Sequence, residues 1–470
     1  MSRKNETPVL VLSLLITLGL IGGVAWWFTR GLFSGQNGAQ SNSSLNSQTG
    51  NGQASFTDRS STGTRVLNPQ SAAAEKLAGA QAMANRNYTQ AVTDFEAALQ
   101  TNRNDPEALI YLNNARIGDQ KAYTIAVSVP MATSTNPALE ILRGVAQAQT
   151  QMNQTGGMGG IPLKVMIVSD DNNPTVARQV ADALVKETEV LGVIGHFGSE
   201  ATLAAAPIYE QGKLVMVSPT STSVQISNAG NFVFRTVPSD RFTATALSRH
   251  LLNNLGKQNA AIYYNSASDY SRSLKDEFAT ALTSDGGQVV AEFDLNNSGF
   301  NALDTVKQAS QQGAEALVLA ANTATLDAAL QVIAVNRRTL PLLGGDSIYN
   351  PKTLQVGGEN AVDMVVAVPW VLLSNPQSEF AQTAKTLWGG DVNWRTAMAY
   401  DATQVLATAI GASPDRTGVQ QNLASPDFSL AGATGTVRFL PSGDRNQAMQ
   451  LVVVKPGERS GYGYDFVPLP

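Results

Sequence analysis

VIGHFGSEATLAAAPIYEQGKLVMVSPTSTS, residues 193–223, holds two short apolar runs, each ending in a loop crowded with hydroxyls and small side chains. Val193-Ile194 and Leu214-Val215-Met216-Val217 read as buried parallel strands, and the alanine-rich residues 201–211 read as the helix crossing between them. In an open α/β sheet the carboxyl ends of such strands face one crevice. The loops carrying Ser199 and Thr220-Ser221-Thr222 are therefore expected side by side there. Hydroxyls and free loop N–H groups in that place suit a small anion, most simply a carboxylate.

The same β-α-β rhythm extends in both directions. Strands are predicted at 123–129, 163–168, 191–194, 214–217, 260–264, 289–293, 316–319, 340–343 and 364–368, with amphipathic helices such as 138–153, 175–188, 270–284 and 325–335 between them. Alternation of this kind indicates an α/β fold with parallel sheets and helices on both faces. Roughly 340 residues exceed what one such sheet holds, so two lobes are expected, with a boundary near Val237-Pro238.

Composition narrows the function. A net charge of −5 and the lack of any Lys/Arg cluster argue against a nucleic-acid partner. With no cysteine, thiolate metal sites, thiol nucleophiles, disulfides and a cysteine-linked lipid are all excluded. Only His196 and His250 are present, too few for a histidine-rich metal site. No metal or cofactor is expected. His196 reads as structural, since no motif ties an acid or nucleophile to it. Gly156 to Gly160 lack the Lys-Ser/Thr of a phosphate loop and read as a surface turn, and Asp170-Asp171 read as structural because consecutive strand-end residues point apart. There is no G-x-S-x-G elbow, so a serine hydrolase, and an enzyme in general, is not the reading.

The amino-terminal part differs in kind. After Arg3 and Lys4, residues 8–28 are uncharged, about 21 residues or roughly 32 Å as a helix, with Trp26-Trp27-Phe28 at the interfacial end. Residues 1–30 are expected to be a cytoplasmic start and an anchor in the inner membrane, which places the rest in the periplasm; a cleaved signal peptide is the alternative, against which stand the length of the apolar run and the lack of a clear A-x-A site. Residues 31–70, rich in Ser, Asn, Gln, Gly and Thr, are expected to stay a disordered tether with a reach of about 30 to 36 Å. Residues 71–121 show helical spacing. NYTQAVTDFEAALQTNRNDPEALIYL resembles a tetratricopeptide repeat, with Gly79, Tyr88, Ala91, Phe95 and Ala98 at its small and aromatic positions; a plain three-helix spacer is the alternative. One repeat cannot bury its own face, so it must pack on the main domain, another subunit or a partner.

From 122 to about 457 the chain resembles the type I periplasmic solute-binding proteins of ABC importers, in particular the branch that binds branched-chain amino acids and amides. IAVSVPM at 125–131, LRG at 142–144, GGMGGIPLKVMIVSDDNNP at 156–174, VIGHFGS at 193–199 and VSPTSTS at 217–223 carry it, followed by VFRTVPSD at 233–240, LGGDSIYN at 343–350, AYDA at 399–402 and GTVRFLPSGDR at 435–445. The resemblance implies two α/β lobes joined by a three-strand hinge and closing on a ligand. Lobe 1 would be about 122–238 and 369–430, and lobe 2 about 239–368 and 431–457.

The resemblance also implies a site. Ser199, Thr220, Ser221 and Thr222 fall where the family grips an α-carboxylate, Tyr270 where a tyrosine covers the ligand, and Asp346 where a carboxylate meets its ammonium. Each has a plainer role available: Ser199 as a helix cap before Glu200, Thr222 within its own turn, Tyr270 as packing, and Asp346 as a turn residue after Gly344-Gly345. The first βα loop, ATSTNPALE at 132–140, lacks the aromatic residue expected there, and Asn322 stands near the place of a second tyrosine. Phe197 adds an apolar wall. The implied ligand is an amino acid or amide, and the implied partners are an ABC permease and ATPase. The alternative is a membrane-tethered sensor that uses the same cleft, with the helical segment docking a partner.

Overall fold

Two sheets, each fed by parallel strands, organise the computed structural model, which describes residues 54–68 and 72–469. The first runs in the order Ser60–Ser61, Leu163–Ser169, Tyr123–Val129, Val190–Ile194, Val215–Ser218, Val233–Arg235, parallel throughout except for its first strand. The second runs Tyr464–Pro468, Gln450–Pro456, Val365–Val368, Leu342–Gly344, Ala316–Ala320, Asn259–Tyr264, Gln288–Asp294, with only Gln450–Pro456 running antiparallel to its neighbours. All nine strands read from the sequence are present, their ends within two residues of the expected positions. Helices cover both faces of each sheet, so the central strands are buried on both sides and their side chains need no alternation.

Three segments cross between the lobes, after Arg235, after Val368 and between Arg445 and Gln450. They are tied to one another: Arg445 Nη1 donates to the carbonyl of Thr236 (3.3 Å), and Gln447 Nε2 to that of Pro369 (3.0 Å). The third crossing lies later than 431. Residues 430–437 form a hairpin whose main-chain N–H groups at Ala433 and Thr434 bond to Asp401 of the helix Trp394–Ala412, which keeps this stretch on the first lobe. The chain then supplies two strands to the second sheet, the last extending to Pro468, beyond the expected end at 457.

Glycine 144, in the LRG motif, has a reason in packing. A Cβ there would lie 2.1 Å from the carbonyl oxygen of Thr396 and 2.6 Å from the nitrogen of Tyr400. Its absence lets the helices Thr135–Gln154 and Trp394–Ala412 pack backbone to backbone and fixes where the second begins.

The anchor expected at 8–28 and residues 31–53, 69 and 70 of the tether lie outside the described residues. Among the described residues no helix is long and apolar enough to cross a membrane. Residues 54–68 correct the expectation of a disordered tether: Ser60–Ser61 pair with Val168 and Ile167 at the edge of the first sheet, Val66 is buried, and Arg59 forms an ion pair with Asp171. An unpaired sheet edge offers main-chain hydrogen bonds that do not depend on apolar content, and this is what the compositional reading left out.

Helices Ala74–Ala84, Tyr88–Thr101 and Pro106–Ile117 follow, with Gly79 seated against the ring of Phe95. The last of them is welded to the first lobe. Asn114 donates to the carbonyl of Val165 (2.7 Å) and accepts from its N–H (3.1 Å), and Asn113 bonds to Thr150 (2.8 Å). Of the three packing partners considered, the helices use the main domain.

Candidate ligand-binding site

A cavity of about 280 Å³ opens between the lobes at the carboxyl ends of both sets of parallel strands. Six of the eight residues singled out from the sequence line it: Phe197, Ser199, Thr220, Tyr270, Asn322 and Asp346. Ser221 and Thr222 do not. Their neighbours show why.

The hydroxyl of Ser221 is turned toward Thr202 Oγ1 (2.7 Å) and the carbonyl of His196 (3.1 Å), and its N–H bonds to Ser218 Oγ (3.1 Å). Ser218 donates to the same His196 carbonyl (3.0 Å), and Thr220 to that of Phe197 (2.8 Å). Much of the VSPTSTS loop therefore braces the loop 195–199. Beneath it, His196 Nδ1 lies 2.6 Å from Asp170 Oδ2 and its Nε2 3.1 Å from the hydroxyl of Tyr209, all three fully buried. Burial pushes Asp170 up, but His196, the N–H of Asn172 and the Ser128 hydroxyl outweigh it and hold the carboxyl below its usual range. His196, expected to have no acid tied to it, is thus held by Asp170 out of reach of solvent and does not line the cavity. Arg235 secures the loop from below, donating to the carbonyls of Ser221 (3.2 Å) and Ser223 (2.8 Å) while paired with Asp444 (2.6 Å).

What this scaffold presents to the cavity is the start of the helix Ser199–Gln211. Ser199 is its first residue, Gly198 stands at the cap without a capping side chain, and Ser199 Oγ accepts from the N–H of Ser223 at 3.3 Å. Ser199 thus does not cap the helix. Gly198 is close to Asn172, since a Cβ there would meet Asn172 Oδ1 at 2.2 Å. The first turn of a 13-residue helix offers unpaired N–H groups and a positive dipole end, a setting for a carboxylate.

The second lobe answers with Asp346, Tyr270 and Asn322. Asp346 opens a short 3-10 turn at the end of the strand Leu342–Gly344 and is 3% exposed. Burial pushes its carboxyl up, while the Arg395 guanidinium and the hydroxyl of Tyr270 pull it back. Tyr270 lies against Gly345, where a Cβ would sit 2.6 Å from the phenol oxygen. Asn322 Oδ1 is already taken by Thr325 N (3.2 Å), Thr325 Oγ1 (3.0 Å) and Asn265 Nδ2 (3.0 Å), so its amide nitrogen is the group left for a ligand. At the rim the lobes touch: Glu200 Oε1 accepts from Asp269 N (2.7 Å), and Ser273 Oγ from Val224 N (3.0 Å).

Several lining residues were not singled out from the sequence, four of them chemically prominent. Thr133 and Ser134 line the cavity from the first βα loop, where the missing aromatic was noted but the hydroxyls were not. Trp394 and Arg395 enter from the start of the helix Trp394–Ala412, only a few residues before the AYDA motif. Arg395 is 4% exposed and its guanidinium stands 4.3 Å over the ring of Trp394.

Asp240, behind the site at the start of the helix Asp240–Arg249, is fully buried, and neither carboxylate oxygen has a hydrogen-bond partner. Burial raises it to about 7; the hydroxyls of Ser273 and Thr222 face it without closing hydrogen bonds, and the field of Asp346 adds to the rise while Arg235 opposes it. The folded chain keeps a proton that the unfolded chain, with an ordinary value of 3.8, releases earlier. Stability from this group is therefore present near pH 4 and declines until about pH 7. Asp240→Asn, neutral throughout, should match the parent near pH 4 and exceed it above pH 7 by on the order of 4 kcal/mol. Urea midpoints across that range check this, and a difference independent of pH would contradict it.

Two α/β lobes, joined by three crossings and enclosing one cavity built from both, define a hinged ligand-binding protein. Residues 122–460 match the family model for periplasmic binding proteins, and the chain belongs to that family. It is 30% identical over 176 residues to an amino acid binding protein of Pseudomonas aeruginosa, a match spanning 37% of this chain and 46% of that relative, less than half its length. It is 24% identical over 308 residues to the leucine-, isoleucine-, valine-, threonine- and alanine-binding protein of the same organism, covering 64% of this chain and 81% of the other. In fold it is similar to a leucine-binding protein from Thermotoga maritima, with a TM-score of 0.64 at 24% identity over 74% of this chain and 98% of that one.

Proposed function

We propose that this chain is the substrate-binding component of an ABC importer and that its cavity takes an α-amino acid. The observation that carries the reading is one cavity with a helix start, Ser199 and Thr220 on one lobe and the buried Asp346 on the other. An α-carboxylate fits the helix start, with the Thr220 loop beside it. The ammonium fits Asp346, whose buried charge lacks a partner within ion-pair distance among the described residues. Tyr270 and Phe197 wall the space, and Asn322 offers a donor to a polar side chain. A volume of about 280 Å³ sits at the small end for ligand sites, the scale of an amino acid. The relatives from Pseudomonas aeruginosa and Thermotoga maritima, named for amino acids, support the same class.

The finer parts of the proposal are that residues 8–28 anchor the chain in the inner membrane, that the folded part works in the periplasm, and that residues 74–117 are a tetratricopeptide-like unit. Docking of that unit on the first lobe makes it part of the binding domain, which supports import over an adaptor role. Titrating the full chain with the common amino acids, followed by calorimetry and by the fluorescence of Trp394 in the cavity wall, should show saturable binding of at least one. Silence across the whole panel would overturn the reading.

A further inference from the structure

The cavity contains a charge that an ordinary amino acid leaves unanswered. Arg395 is 4% exposed and lines the cavity, yet among the described residues its guanidinium has no ion pair and no hydrogen bond, and its Nε is buried without a partner. Its neighbours are committed elsewhere. Glu140 is paired with Arg143 (2.7 Å) and accepts from Thr396 Oγ1 (2.6 Å). Asp171 is held by Arg59, and Glu200 by the N–H of Asp269. Asp346 acts on Arg395 through its field but lies beyond ion-pair distance.

Counting charges in the cavity then points one way. A bound α-amino acid brings an ammonium for Asp346 and a carboxylate for the start of the helix Ser199–Gln211, where hydroxyls and N–H groups can hold it. Once Asp346 is neutralised, Arg395 loses the larger of the two carboxylate fields, those of Asp346 and Glu140, that offset its burial, and Glu140 is already paired with Arg143. A guanidinium kept out of water without a counter-charge is unfavourable, and its planar fork is shaped for a second carboxylate. We propose that Arg395 receives a side-chain carboxylate of the ligand, so that the site selects acidic α-amino acids over neutral ones. Its guanidinium lies over Trp394, and the Nδ2 of Asn322 on the second lobe and the hydroxyl of Ser134 on the first are further donors lining the cavity. The inference rests on the amino-acid reading above.

The test uses the full chain, four ligands and two variants. L-Glutamate and L-aspartate are titrated beside their neutral near-isosteres L-glutamine and L-asparagine, on the parent, Arg395→Met and Arg395→Lys. The parent should bind one acidic amino acid roughly 30-fold or more tightly than its amide. Arg395→Met should cost the acidic amino acid roughly tenfold or more affinity beyond what it costs the amide, and Arg395→Lys should retain part of the preference. Without ligand, Arg395→Met should melt no lower than the parent, because the buried charge it removes has no partner. Neutral amino acids binding best, with Arg395→Met weakening all of them equally, would assign Arg395 to the α-carboxylate and overturn the inference while the amino-acid reading stands. Succinate or glutarate binding as well as the amino acids would instead overturn the role of the ammonium. No binding by any α-amino acid would overturn both.

Discussion

Asp346→Ala is expected to weaken an α-amino acid ligand by roughly 100-fold or more, while its deaminated analogue, which never meets the carboxylate, changes by only a few-fold. The size follows from burial. Asp346 is 3% exposed at the end of a buried strand, so an ammonium brought to it leaves water almost completely and needs a full counter-charge. Removing that counter-charge leaves the ligand's cation in a cavity also lined by Arg395, which has the same sign. The ratio of the two affinities isolates the pairing from any change in cavity shape, since both ligands feel the shape alike. Equal losses for the two ligands would take Asp346 out of the ammonium role.

Arg445→Ala should cost stability rather than selectivity, on the order of 3–5 kcal/mol by urea unfolding, because it leaves Asp401 as a buried carboxylate without its cation. Arg445 and Asp401 are 1% and 0% exposed and lie 3.4 Å apart. Arg445 also donates to Thr434 Oγ1 (2.5 Å) and to the carbonyls of Thr434 and Thr436 (both 3.3 Å), and Asp401 accepts from the N–H of Ala433 (2.6 Å). This cluster pins the 430–445 stretch to the first lobe and, through the carbonyl of Thr236, ties two crossings together. Replacing both charges together, as Arg445→Met with Asp401→Leu, should recover part of the loss. A single variant that unfolds at the parent midpoint would show that the cluster is not an interior ion pair in solution.

The strands of both sheets were legible because buried parallel strands are continuous apolar runs punctuated by helices. Among those that escaped, Ser60–Ser61 and Val233–Arg235 are short and lie at the edges of the first sheet, while Gln450–Pro456, paired on both sides, joins the second sheet only after a stretch fastened to the first lobe. The site was legible to the extent that it sits at strand ends. Ser199, Thr220, Tyr270, Asn322 and Asp346 meet on one cavity, although the sequence separates them by up to 147 positions. Two hydroxyls of the same loop, on Ser221 and Thr222, carry an identical signal in sequence yet do not line the cavity: that of Ser221 braces the loop 195–199, and that of Thr222 is buried facing Asp240.

The sequence by itself determined the alternation of strand and helix, the division into two lobes, and the placing of hydroxyls and one carboxylate at the ends of buried strands. These follow from periodicity and local composition, which are properties of neighbours along the chain. Only the tertiary structure decided which hydroxyls reach the cavity, that residues 54–68 close a sheet edge, and that Arg395 enters the site from a helix about 200 residues after Ser199. Those outcomes depend on how backbones approach across the fold, as at Gly144 against Thr396, and on which buried charge finds a partner. No window of sequence contains either quantity.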